Sequence, residues 1–106
     1  MRQLYITYVW LNMKKCIYLW YKMIVLITGA TSGFGMSCAK LFSKKGYKTI
    51  LIGRRKERLT KLSKELGIKR NLPIHLDVRD KKNVFKSIEN LPKEYKKITV
   101  LINNAG

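Results

Sequence analysis

Acidic side chains are scarce in this 106-residue chain: six Asp and Glu stand against 23 Lys and Arg, for a formal charge of +17. Histidine occurs once and cysteine twice. Cys16 and Cys38 lie far apart and match no metal-ligand spacing, and His75 has no Cys or His near it, so the pattern offers no metal centre. Cys38 falls on the apolar face of a predicted helix and reads as a small buried hydrophobe. His75 reads as a structural residue within a strand. Long apolar runs are missing as well: Lys14, Lys15 and Lys22 keep the N-terminal stretches well below the ~18 residues of a membrane span. The basic excess invites a nucleic-acid reading. However, 17 of the basic residues are Lys, scattered over every predicted helix in pairs such as Lys44-Lys45, Lys81-Lys82 and Lys96-Lys97. Phe, Tyr, Met, Ile, Asn and Lys are abundant while Gly, Ala, Arg and Pro are sparse, the bias that AT-rich coding DNA leaves on solvated surfaces. No nucleic-acid partner is therefore expected.

The length allows one domain at most, and the 46% hydrophobic content rules against disorder. Residues 1–22 differ from everything after them. They hold both tryptophans and four of the six tyrosines, but no Gly, Pro, Ala, Asp or Glu. As a signal peptide the segment lacks a leading positive cluster and a small-residue cleavage site. Two readings stay open: upstream sequence read in frame ahead of a start at Met23, or an anchor lying on a membrane surface. The domain expected is residues 23–106, with 1–22 an atypical extension.

From Met23 the apolar pattern alternates strand and helix. A strand over Ile24–Thr28 leads to a helix from about Gly33 to Lys45, with Phe34, Cys38, Leu41 and Phe42 on one face and Gly46 closing it. A strand over Lys48–Gly53 precedes a helix over about Lys56–Leu66 that buries Leu59, Leu62 and Leu66 and stops at Gly67. A third strand over Leu72–Asp77 is followed by a helix capped at Asp80, burying Val84, Phe85, Ile88 and Leu91 and closed by Pro92. Ile98–Asn103 forms a fourth strand. Strict β/α alternation with right-handed crossovers predicts a parallel sheet, the first half of a doubly wound α/β fold with about four strands and three helices.

The motifs sit where such a sheet would use them. Thr28-Gly29-Ala30-Thr31-Ser32-Gly33-Phe34-Gly35 follows the first strand and opens the first helix. Glycines there let backbone N–H groups approach a pyrophosphate, and the helix presents its unpaired amides. The spacing Gly-x-x-x-Gly-x-Gly departs from the commoner Gly-x-Gly-x-x-Gly, but lies in the strand–turn–helix context the mechanism needs. An NAD site places an acidic residue at the tip of the second strand, for the ribose 2′-hydroxyl. Here the tip is Gly53-Arg54-Arg55, two guanidinium groups suited to a 2′-phosphate, each charge-assisted bond contributing on the order of 1.5–3 kcal/mol. NADP is thus expected over NAD; the competing reading is two surface arginines opening a helix. Leu76-Asp77-Val78 reaches the same edge, where Asp77 can accept from an adenine amino group beside the Val78 amide. Asn103-Asn104-Ala105-Gly106 closes the fourth strand, its small residues leaving room for a ribose.

In this order and spacing, Thr28–Gly35, Arg54-Arg55, Asp77-Val78 and Asn103–Gly106 resemble the cofactor half of the short-chain dehydrogenase/reductase family, over Met23 to Gly106. Met23-Ile24-Val25-Leu26, Arg54-Arg55-Lys56-Glu57-Arg58-Leu59 and Leu91-Pro92-Lys93-Glu94-Tyr95 look like one subgroup, NADP-dependent dehydrogenases of 3-hydroxy acids, serine and allo-threonine. The resemblance implies a Rossmann-type fold and an oxidoreductase moving hydride between NADP(H) and a small hydroxy or oxo substrate. It also implies a cytoplasmic location and a homo-oligomer for full-length relatives. Residue by residue, Gly29, Ala30, Thr31, Ser32, Gly33, Phe34 and Gly35 would wrap the pyrophosphate, and Arg54 and Arg55 would hold the 2′-phosphate. Asp77 and Val78 would contact adenine, Asn104 the nearby ribose, and Thr28 and Asn103 would support the turn. The family's catalytic Ser and Tyr-x-x-x-Lys follow the Asn-Asn-Ala-Gly motif, so no catalytic residue is assigned here. Tyr18 and Lys22 have that spacing but precede the first strand. The chain is expected to carry the cofactor half alone; the alternative is a non-catalytic nucleotide-binding module or the product of a degraded gene.

Overall fold

A computed structural model describes residues 23–104. The readings made for residues 1–22, Cys16, Ala105 and Gly106 lie outside the described residues. Four strands, β1 (Ile24–Thr28), β2 (Lys48–Gly53), β3 (Asn71–His75) and β4 (Val100–Asn103), form one parallel sheet in the order β3-β2-β1-β4. The helices are α1 (Gly33–Lys44), α2 (Lys56–Leu66) and α3 (Lys81–Glu89), with a short 3₁₀ turn at Lys93–Tyr95. This is the doubly wound α/β architecture expected from the alternating pattern.

The central strands β1 and β2 are buried at every position but Lys48, and largely apolar, because both faces of the sheet are covered, as in other parallel sheets. Successive side chains of β1 point to opposite faces. Val25 and Ile27 join Leu51, Ile102 and the α1 and α2 residues Cys38, Ala39, Leu59 and Leu62 in one core. Ile24 and Leu26 join Ile50, Ile52, Leu76, Leu91 and Tyr95 in the other. Cys38 is buried, as expected of a small hydrophobe, and its burial pushes the thiol pKa up.

Several boundaries and faces differ from the sequence reading. β3 runs from Asn71 to His75 rather than Leu72–Asp77, and β4 starts at Val100 rather than Ile98. The register explains the first shift: β2 ends at Gly53, which pairs with His75, so Leu76 and Asp77 continue past the sheet. The inner face of α1 is Gly35, Cys38 and Ala39, rotated from the expected one; Phe34 and Leu41 are 41% and 50% exposed. Small residues occupy the line of closest approach to the sheet, and the bulky ones flank it. α3 buries none of its residues, and Phe85 is 68% exposed. On that face Leu91, as expected, and Tyr95, which was not, fill the core with Val84 packed against it, while Phe85 and Ile88 stay exposed. Asp80 does cap α3, its carboxylate accepting from the Asn83 amide at 3.3 Å.

Candidate functional site

The carboxyl ends of the strands converge where the chain order reverses, β1 leading outward to β2 and β3 on one side and β4 lying on the other. This is the topological position at which open α/β sheets bind ligands. β1 delivers the chain into Gly29, whose φ of +62° is a left-handed conformation that favours glycine. A Cβ at Gly35 would fall 2.1 Å from the Gly29 carbonyl oxygen, so only glycine lets the first turn of α1 lie against the loop. Ser32 occupies the N-cap position but makes no side-chain cap, and the first turn of α1 holds no acidic residue. The amides there keep their positive end for an incoming anion.

Asn103 and Asn104 lock the loop to β4. The Thr28 hydroxyl donates to Asn103 Oδ1 at 2.9 Å and accepts from the Asn104 amide at 2.9 Å. Asn104 Nδ2 donates to the Gly29 carbonyl at 3.3 Å. The remaining acceptor of that side chain, Oδ1, is buried without a hydrogen-bond partner among the described residues. Such an atom costs free energy unless something donates to it.

A cleft of about 340 Å³ opens at this edge. It brings together Gly29, Thr31, Ser32, Arg54, Arg55, Asp77, Val78 and Asn104, which the sequence reading had placed on one glycine loop and at the ends of three strands. Four other assigned residues do not line it. Ala30 is fully buried, with its amide donating to the Ile52 carbonyl at 3.0 Å. Gly35 is packed beneath the loop, and Gly33 and Phe34 begin α1 on the exposed side. Glu57 lies in the first turn of α2 and stays out of the cleft, so no carboxylate stands at the β2 tip.

Two residues that the sequence reading did not assign to the site shape it. His75 Nε2 donates to the Arg54 carbonyl at 2.8 Å, tying the end of β3 to the arginine tip of β2. Arg79 lines the cleft and grips Asp77: Nε lies 3.1 Å from Oδ1 and 3.2 Å from Oδ2, and Nη2 lies 2.8 Å from Oδ2. The Arg79 amide also donates to Oδ1, at 3.0 Å, so three N–H groups serve the carboxylate, the Nε–H being shared between its two oxygens. These side-chain and backbone bonds, with the nearby charges of Arg79 and Arg54, pull the Asp77 carboxyl down to about 2. The signal for Arg79 was an Asp followed two residues later by a basic side chain, the sequence of an Asx turn. For His75 there was none, because its partner is a backbone carbonyl 21 residues away. Among the described residues no cluster of His, Cys, Asp or Glu could hold a metal, and no helix is long and apolar enough to cross a membrane.

A 3-2-1-4 parallel sheet with a glycine loop, an arginine tip and paired asparagines at its carboxyl edge is the first half of a Rossmann-type fold. Residues 23–106 match the family model of short chain dehydrogenases, and the chain belongs to that family of oxidoreductases. It is 50% identical over 86 residues to sulfoacetaldehyde reductase 2 of Chromohalobacter salexigens, covering 78% of this chain and 33% of the relative. Against the NADP-dependent 3-hydroxy acid dehydrogenase YdfG of Escherichia coli the identity is 48% over 85 residues, covering 79% and 34%. The closed form of serine dehydrogenase complexed with NADP+ superposes with a TM-score of 0.69 at 43% identity, over 72% of this chain and 30% of the other. The chain thus spans about a third of the length of these relatives.

Proposed function

We infer that residues 23–106 form the NADP(H)-binding half of a cytoplasmic short-chain dehydrogenase acting on a small hydroxy or oxo substrate such as a 3-hydroxy acid. The observation that carries the cofactor choice is the pair Arg54 and Arg55 in the same cleft as the glycine loop, with no carboxylate at the β2 tip. A carboxylate there would repel a 2′-phosphate, whereas two guanidinium groups attract it. The rest of the cleft fits the same ligand. Gly29, Thr31 and Ser32 would face the pyrophosphate; Gly33 and Phe34, outside the cleft lining, would contribute through the positive end of α1. The buried, unpartnered Asn104 Oδ1 supplies an acceptor for a ribose hydroxyl. Asp77 and Val78 mark the adenine end. Ala30 and Gly35 act through packing, holding the loop against the sheet and the helix. When bound, NADP(H) supplies the hydride chemistry; these residues bind and orient it, and no side chain of the cleft is assigned to proton transfer.

Titration of the chain with NADPH and NADH, followed by calorimetry, tests the reading. NADPH is expected to bind tighter, and R54A and R55A each to weaken it by roughly ten- to a hundredfold with little effect on NADH, from the charge-assisted bonds removed. Equal affinity of the unaltered chain for the two cofactors would overturn the 2′-phosphate assignment.

A further inference from the structure

At the tip of β2 three successive backbone carbonyls are held by donors of different kinds. Gly53 pairs with His75 in the sheet register, and its carbonyl accepts from the Leu76 amide at 3.0 Å, the last rung of the β2–β3 ladder. The Arg55 carbonyl accepts from the Leu59 amide at 2.9 Å, the first rung of α2. Arg54 lies between strand and helix, beyond both sets of backbone bonds. Its carbonyl is served by a side chain instead, His75 Nε2 at 2.8 Å. A carbonyl only accepts, so Nε2 carries the proton. Arg54 and Arg55 line the cleft with exposed side chains, whereas His75 is not one of the lining residues. Any effect of His75 on a bound ligand therefore passes through the tip. A long arginine side chain on an already fixed backbone has less conformational freedom to lose when it closes on a phosphate.

We propose that His75 is a positioning residue for cofactor choice: by donating Nε2–H to the Arg54 carbonyl it fixes the turn from which Arg54 and Arg55 reach the 2′-phosphate. This rests on the cofactor reading above and deepens it. The bond acts on the part of the site that meets the phosphate, so it favours NADPH and leaves NADH, which carries a hydroxyl there, nearly untouched. Glutamine places its amide nitrogen the same number of bonds from Cα as His Nε2, so it can make the same donation. Leucine fills similar space with no donor.

The test is calorimetric titration of the 106-residue chain and its H75L, H75Q, R54A and R54A/H75L variants with NADPH and with NADH. His75 is exposed, so these substitutions leave the core untouched. H75L is expected to weaken NADPH about three- to tenfold and to leave NADH unchanged, the loss of one hydrogen bond read through the arginine tip. H75Q should keep most of the NADPH affinity. The double variant should lose less than the product of the two single losses, because His75 acts through Arg54. NADPH binding by H75L equal to that of the unaltered chain overturns the proposal. An equal fall for both cofactors does so too, since it makes His75 a support of the sheet edge and not of the phosphate grip. H75Q as weak as H75L would show that the donated bond is not the cause, and losses that multiply in the double variant would show a route that bypasses Arg54. Absence of any NADPH binding by the unaltered chain would overturn the cofactor reading itself, and the proposal with it.

Discussion

Asp77 meets Arg79 across a two-residue turn, and the pairing moves its titration into the acid range. The carboxyl is drawn from its ordinary value near 3.8 to about 2, first by the Arg79 side-chain bonds and then by the Arg79 amide. A carboxylate with a lowered folded-state pKa favours the fold above its ordinary value, and that contribution disappears as pH falls through about 2. The pair lies in solvent, so its effect is modest and salt weakens it. Thermal unfolding between pH 2 and 5 should therefore fall more steeply for the unaltered chain than for D77N. The two curves should converge near pH 2 and draw together in high salt. Parallel curves across that window would show that the pair does not couple to folding. Arg79 also marks where residue-level reading ran out. Arg54, Asp77 and Asn104 each stood at the end of a predicted strand, and strand ends define this edge. Arg79 lies beyond β3, and its position depends on a turn whose geometry spacing alone does not supply. Asn104 was legible as a cleft residue, while its unpartnered Oδ1 emerged only with the contacts around it.

At the scale of elements, the glycine loop and β2 are fitted to each other at one point. A Cβ at Gly53 would lie 2.9 Å from Thr31 Cγ2, so the last residue of β2 is small because the loop leans on it. That contact sets how far the loop stands from Arg54. G53A should cost about 1–3 kcal/mol by overpacking. T31S removes the offending methyl, and the double variant G53A/T31S should recover most of the loss. A double-mutant cycle by chemical denaturation reads the coupling directly; strictly additive losses would mean that the backbone moves instead of the side chain. Strands and helices were legible because glycines and apolar runs delimit them: β1, β2 and α2 begin and end where the pattern placed them. The faces of α1 and α3 were less so. Periodicity reports that a stripe is apolar, but not whether a layer lies opposite it. In α1 the close approach at Gly35 turned the stripe by one residue, and in α3 the residues after the helix took the core positions.

Among the described residues the molecule has two sheet edges, and they are not equally protected. β3 carries Pro73, which has no amide to offer, together with the polar Asn71 and His75. β4 reads Val-Leu-Ile-Asn with no proline and no charge, and Leu101 on it is 36% exposed. An uncharged apolar edge with open backbone groups is a template for pairing with another chain. The chain's +17 charge opposes that encounter, and it does so only over the distance that salt allows. That distance shrinks from about 10 Å at 0.1 M to about 3 Å at 1 M ionic strength. Self-association should therefore rise with salt, the reverse of what ionic contacts between copies would give. Light scattering across a salt series is expected to show growth for the unaltered chain and its suppression by L101K, which places a charge on the edge without disturbing the buried Ile102. If L101K associates as readily, the exposed Phe34, Leu41 and Phe85 become the sources of attraction in place of β4. If association falls as salt rises, charge pairing between copies governs it and the edge does not.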